Sequence, residues 1–176
     1  MSLALRAVYL ALIAVVLARG EWGGAVFHCA IFIGSLLLIW MARRERNGSY
    51  YTLDAVTCAI FSAAIIVSFL GLWSDTEYYL GLDKLFHAGA GAVLAWFAIS
   101  FLRRRTTDRM VVYGGAVLFA LAVGGAWEVF EWFFHILPPP LHLGSMGYTD
   151  SMMDLVADTL GGSLVALVFW SRAKKR

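Results

Sequence analysis

The chain has 176 residues, of which 61% are hydrophobic and 15% are charged, and its mean hydropathy is +0.75. This composition excludes an ordinary soluble domain, which is less apolar and more highly charged, and it predicts a membrane protein. No polar linker or low-complexity run divides the chain, so a single domain is expected over residues 1–176.

Six apolar runs follow one another, and each approaches the roughly 20 residues that a helix needs to cross a bilayer. None shows the alternating pattern of a membrane strand. Because a chain in lipid must satisfy its own backbone hydrogen bonds, the runs predict an all-α bundle of six transmembrane helices, with almost no strand. The predicted spans are residues 3–18, 22–41, 52–72, 84–102, 110–134 and 151–170.

The first run also has features of a signal peptide. Arg6 lies near its start, and Val16-Leu17-Ala18 at its end reads as a cleavage site. We nevertheless expect this run to be retained as the first span.

The basic residues predict the orientation. Twelve of the fourteen Lys and Arg residues lie at the chain ends or in the segments after the second and fourth spans. The positive-inside rule therefore places these segments and both termini in the cytoplasm, and loops 73–83 and 135–150 outside. Since topology accounts for the basic clusters, no nucleic-acid partner is expected.

Acidic residues and histidines collect in the outer halves of the last three predicted spans. Their separations of three and four residues place the members of each group on one helix face. Lipid is the costliest environment for such a face, so we expect the three faces to converge inside the bundle. The groups are Asp83 with His87, Glu128 with Glu131, and Asp150 with Asp154 and Asp158.

A buried carboxylate in a membrane costs about 2.5–3.5 kcal/mol, so these groups need compensation. Carboxylates combined with an imidazole suit Mg²⁺, Mn²⁺, Zn²⁺ or iron. We expect a bound divalent cation, and protonated carboxylates with ordered water are the alternative. The predicted metal ligands are His87, Glu128, Glu131, Asp154 and Asp158.

Other polar residues have simpler explanations. Lys84 is a candidate for a structural ion pair with Asp83 or a glutamate. Asp54 and Asp150 lie near predicted helix starts, where aspartate is a favoured cap. Solvent exposure is expected for the two histidines that flank the Pro138-Pro139-Pro140 loop, His135 and His142.

Three motifs resemble a known family: DKLFH at 83–87, WEVFEW at 127–132 and DSMMDLVADTLGG at 150–162. They are similar to motifs of the YjdF-like inner membrane proteins of bacteria, a family of unknown function that is distantly similar to VanZ-like proteins. The resemblance implies a small multi-pass protein of the bacterial inner membrane. It implies no activity. The positions that match the family's polar motifs are Asp83, Lys84, His87, Glu128, Glu131, Asp150, Asp154 and Asp158.

Two classes of function remain open from the sequence. The first is a metal-dependent enzyme acting on lipid or isoprenoid head groups, with His87, Glu128 and Asp158 as catalytic residues. The second is a non-enzymatic protein that binds a lipid, a small molecule or a partner, or that couples transport to ions or protons. Transport ranks below binding because the inner halves of the spans hold few ionisable residues. The oligomeric state is not predicted.

Overall fold

The computed structural model describes residues 2–45, 49–70, 82–136 and 147–173. Every regular element within these residues is a helix, which confirms the all-α prediction. The helices are α1 (Ser2–Ala18), α2 (Trp22–Glu45), α3 (Ser49–Phe69), α4 (Leu82–Leu102), α5 (Arg109–His135) and α6 (Tyr148–Ala173).

Four described segments are long and apolar enough to cross a membrane: Tyr50–Val67, Asp83–Leu102, Arg109–Phe133 and Tyr148–Ala173. The apolar parts of α1 and α2 are shorter. The protein is therefore an all-helical membrane protein with several apolar helices. That all six helices cross the membrane stays a prediction. Several boundaries differ from those predicted, since α2 ends four residues later, at Glu45, and α6 begins three residues earlier, at Tyr148. Most of the predicted outer loops, including His142, lies outside the described residues.

The chain divides into two compact units. Unit 1 comprises Met1–Thr76 and Phe130–Met146, and unit 2 comprises Glu77–Val129 and Gly147–Arg176. The division falls within α5, whose last residues belong to unit 1.

In unit 1, α1 ends in a glycine turn. Gly20 has a φ of 78°, a left-handed conformation that glycine adopts without a steric cost. Its N–H donates to the Leu17 carbonyl at 3.0 Å, and the Glu21 N–H donates to the Val16 carbonyl at 3.3 Å. This pair of bonds is a Schellman motif, which satisfies the last carbonyls of α1 and reverses the chain into α2.

The interior of unit 1 contains an ion pair that the sequence did not predict. Asp54 is fully buried, and both of its carboxylate oxygens accept hydrogen bonds from the Arg6 guanidinium. Arg6 also donates to the Ser35 carbonyl at 3.0 Å. The prediction that Asp54 caps a helix was wrong, because α3 begins five residues earlier, at Ser49.

Unit 2 has a core of small residues that α4, α5 and α6 all supply. Ala95, Ala98, Ala116, Ala120 and Ala166 are buried there. Such short side chains let helix backbones approach one another closely. α5 begins with a regular cap, since Asp108 accepts hydrogen bonds from the Met110 and Val111 N–H groups at 2.8 and 3.3 Å.

Candidate functional site

The first turns of α4 and α6 meet in unit 2 and bring the predicted acidic residues together. Asp83 and Lys84 open α4, and Asp150 and Asp154 lie four residues apart on α6. Asp154 is buried, whereas Asp83 and Asp150 are partly exposed. The site therefore grades from an accessible rim to an enclosed interior.

Lys84 lies at the centre of the rim. Its Nζ atom is 2.9 Å from Asp83 Oδ2, 2.5 Å from Asp150 Oδ1 and 2.6 Å from Asp154 Oδ1. The predicted pair with Asp83 is present, and two further carboxylates share the same ammonium. Asp150 was expected only as a helix cap, but its side chain forms this ion pair in the first turn of α6.

His87 lies one turn further into α4 and has carboxylates on both sides of its ring. Its Nδ1 atom is 3.3 Å from Asp158 Oδ2, while Nε2 is 3.9 Å from Asp83 Oδ1 and 3.7 Å from Asp154 Oδ1. A carboxylate only accepts hydrogen bonds, so the contact with Asp158 requires a proton on Nδ1. In the neutral imidazole, Nε2 then carries no proton, and its lone pair is available to a metal ion on the side of Asp83 and Asp154.

Three of these side chains form a group with the spacing of metal ligands. One ligand atom each from Asp83, His87 and Asp154 lies within 4.8 Å of the other two. The sequence predicted Asp154 as a metal ligand, whereas it placed Asp83 only among the polar motif positions. The geometry adds Asp83 to the potential ligands.

Glu128 brings a further carboxylate to the site from α5. Its side chain is buried, with 8% exposure, and neither carboxylate oxygen has a hydrogen-bond partner among the described residues. The Ser151 hydroxyl is nevertheless a neighbouring hydrogen-bond donor, and His87, Asp150 and Asp158 are charged groups nearby. One hydroxyl does not offset the burial of a whole carboxylate, so a proton or a bound ligand is expected at Glu128.

Glycines allow the three helices to approach around Asp158. A Cβ atom at Gly91 would lie 2.8 Å from the Asp158 carbonyl carbon. At Gly124, a Cβ would lie 2.9 Å from the Asp158 carboxylate carbon. Because Gly124 and Glu128 are one turn apart on α5, they present the same face of the helix to α6.

Not all of the predicted ligands are brought together by the described structure. His87, Asp154 and Asp158 are in contact, and Glu128 is close to them. Glu131 is partly buried and belongs to unit 1, so its predicted role as a ligand stays a prediction. The side chain of His135 lies outside the part of the structure that is described.

The chain matches no curated protein and no solved structure. The expected distant similarity to VanZ-like proteins stays a prediction. A family model described as "Predicted membrane protein (DUF2238)" matches residues 1–176, which is consistent with the resemblance to a YjdF-like membrane family of unknown function. The chain belongs to this family of predicted membrane proteins.

Proposed function

We propose that this membrane protein binds a divalent cation through Asp83, His87 and Asp154. The observation that supports the proposal is the set of three ligand atoms within 4.8 Å of one another, contributed by two helices. Two carboxylates and an imidazole form a mixed oxygen and nitrogen set, which suits Mg²⁺, Mn²⁺, Zn²⁺ or Fe²⁺.

The surroundings of His87 support a ligand role. A metal-binding histidine usually donates its second ring N–H to a carboxylate, which fixes the ring and its tautomer. Asp158 is the acceptor on the Nδ1 side, at 3.3 Å, and leaves Nε2 facing Asp83 and Asp154. In this proposal Asp158 is a positioning residue, although the sequence suggested it as a ligand and a catalytic residue.

Glu128 is the fourth contributor in this proposal. Its carboxylate is buried beside the Ser151 hydroxyl, and its oxygens make no hydrogen bond of normal geometry among the described residues, which suits either a further ligand or a base that accepts a proton from a bound substrate. A cation with an incomplete protein shell would offer an open position to the head group of a lipid or isoprenoid. The reaction class that we propose is therefore metal-dependent chemistry on a lipid or isoprenoid head group. His87 and Glu128 would lie nearest to the reacting group.

Lys84 supports a second candidate function. Its ammonium lies within 2.9 Å of oxygens from three carboxylates, so the chain already supplies a cation to this site. If Lys84 is the resident cation, the cluster is a non-enzymatic site, and an anionic lipid head group or another small ligand would compete with the carboxylates for the ammonium. Lys84 and a metal ion would exclude each other through Asp154, whose Oδ1 atom faces both Lys84 and His87.

Metal titration of three variants separates these candidates. Elemental analysis and calorimetry on the purified protein should detect one bound cation per chain, and Asp154→Asn should abolish it. Lys84→Gln should strengthen cation binding because it removes the competing ammonium. Asp108→Asn is the matched control, since Asp108 is an exposed aspartate of unit 2 that caps α5.

The result that would reject the metal site is equally specific. If wild type and Lys84→Gln bind none of Mg²⁺, Mn²⁺, Zn²⁺ and Fe²⁺, the cluster is the Lys84-centred site of the second candidate. A variant that loses its fold is recognised by its circular dichroism and would be replaced by Asp83→Asn.

We also propose that the protein resides in the bacterial inner membrane with both termini in the cytoplasm. The distribution of twelve basic residues supports this orientation. The candidate cation site would then face the outer leaflet, where it would meet lipid rather than nucleic acid.

A further inference from the structure

A second polar region lies at the opposite end of unit 2 from the candidate cation site of Asp83, His87 and Asp154. There the loop of residues 103–108 joins α4 to α5 and lies beside the last turn of α6. A cavity of about 550 Å³ opens between these segments. Its polar lining consists of Arg103, Thr106, Thr107, Arg109, Tyr113 and Arg172.

The charge of this cavity is strongly positive. Three arginines line it, and Arg104 and Arg105 lie in the same loop. The acidic residue of this loop, Asp108, already accepts two backbone hydrogen bonds as the cap of α5. The positive-inside rule explains why arginines occur at this end of the helices. It does not explain why three of them converge on one cavity with two threonine side chains.

One arginine is held in place and two remain available for an anion. Arg103 donates to the Tyr113 hydroxyl at 2.5 Å, and its guanidinium carbon lies 5.0 Å from the centre of the Phe169 ring. Arg109 makes a long contact of 3.4 Å with the Ala173 carbonyl. Arg172 is exposed and forms no hydrogen bond or ion pair within the described part of the chain. A guanidinium binds phosphate through two parallel N–H donors, so Arg109 and Arg172 suit a phosphate group.

An apolar cleft of about 420 Å³ continues from the basic cavity between α5 and α6. Tyr113 lines both, which makes them neighbours. Val117, Leu167 and Trp170 supply apolar walls, and a Cβ at Gly114 would meet nothing within 4 Å. The space beside Gly114 is therefore open and would accommodate a hydrocarbon chain.

We propose that this end of unit 2 binds one anionic phospholipid. Its phosphate lies between Arg109 and Arg172, and one acyl chain follows the cleft beside Gly114. A basic cavity alone would suit free phosphate as well, but the adjoining apolar cleft matches the second half of a phospholipid. Basic pockets between transmembrane helices are a known means of recognising anionic head groups.

Native mass spectrometry of the detergent-purified protein tests the proposal with phosphatidylglycerol and phosphatidylcholine as probes. Phosphatidylglycerol should bind as a single tight adduct and phosphatidylcholine should not. Arg109→Gln and Arg172→Gln should each weaken the adduct by about fivefold, and the double variant by about 30-fold. Arg104→Gln is the matched control, because Arg104 belongs to the same loop and does not line the cavity.

Gly114→Leu separates a phospholipid from free phosphate. The new side chain would fill the open cleft without meeting neighbouring atoms at its Cβ, so it should weaken the lipid adduct while the thermal stability is no lower than that of wild type. Equal binding of both lipids, or a double arginine variant that binds like wild type, would overturn the proposal. So would displacement by millimolar inorganic phosphate together with no effect of Gly114→Leu, because the site would then hold free phosphate.

Discussion

Replacing Gly161 by alanine should force α4 and α6 apart and destabilise unit 2. Gly161 faces the backbone of α4 at Ala88. A Cβ at this position would lie 2.7 Å from the Ala88 carbonyl carbon and 3.0 Å from its Cα, and it would overlap the carbonyl oxygen. Ordinary contacts of a Cβ are 3.4–4 Å, so the carbonyl carbon alone would have to retreat by about 0.7 Å.

The magnitude follows from two opposing terms. Overpacking a closely packed interior costs about 1–3 kcal/mol, and the upper end applies here because the obstacle is backbone rather than a flexible side chain. Alanine also has a helix propensity that is better than that of glycine by about 1 kcal/mol. We therefore expect Gly161→Ala to lose about 1–2 kcal/mol of unfolding free energy.

Gly114→Ala is the matched control because it makes the same chemical change on a helix where the Cβ meets nothing within 4 Å. It should gain the propensity term without the packing cost, so the two variants should differ by about 2–3 kcal/mol. Unfolding in mild detergent, followed by circular dichroism, measures the difference. If Gly161→Ala is as stable as Gly114→Ala, the close approach of α4 and α6 at Ala88 is refuted.

Three further results are expected. Asp54→Asn should destabilise the protein by about 3–5 kcal/mol, because it leaves the buried Arg6 guanidinium uncompensated. Adding Arg6→Met should recover much of the loss, and equal thermal unfolding of wild type and Asp54→Asn would contradict this prediction. Gly124→Ala should cost less thermal stability than Gly161→Ala, because its Cβ would meet side-chain atoms of Asp158 rather than backbone. It should weaken cation binding in calorimetry by about 10–100-fold by disturbing the His87 contact, and unchanged affinity would argue against a positioning role for Asp158. A cysteine introduced at Arg104 in a cysteine-free background should react with a membrane-impermeant maleimide only after the membrane is permeabilised, and labelling of intact cells would reverse the predicted orientation.

The helices themselves were predictable because lipid leaves the backbone few alternatives. An apolar run that must satisfy its own hydrogen bonds becomes a helix, and all six predicted runs contain one. The helix ends were less predictable, since an end depends on local capping. The Schellman turn at Gly20 follows from a glycine that the sequence displays, whereas the extension of α2 to Glu45 passes through basic residues that read as a boundary.

The members of the polar cluster around Lys84 and His87 were also predictable in part. Spacing of four residues places Asp83 with His87 and Asp154 with Asp158 on shared helix faces, and the apolar surroundings require those faces to meet. Spacing on one helix does not give the register between two helices. The contacts of Lys84 with Asp150 and Asp154 therefore emerged only from the packing of α4 against α6.

The ion pair of unit 1 shows a different limit of the sequence. Arg6 and Asp54 were each given a local explanation, one as a topology signal and the other as a helix cap. A signal was available, because both charges interrupt apolar runs near the same predicted side of the membrane. Two opposite charges at the same depth in the membrane are expected to pair, because each unpaired charge would otherwise carry its full desolvation cost.

Asp158 is the aspartate of α6 that lies where the three helices of unit 2 pack most closely. Its backbone faces Gly91 on α4, and its carboxylate faces both Gly124 on α5 and His87. The close packing of the helices and the orientation of His87 therefore depend on the same residue. A larger residue at either glycine would move the carboxylate or the helix that carries it, and the imidazole would lose its hydrogen-bond acceptor. Gly91 and Gly124 therefore allow the helix packing that brings Asp158 within hydrogen-bonding distance of His87.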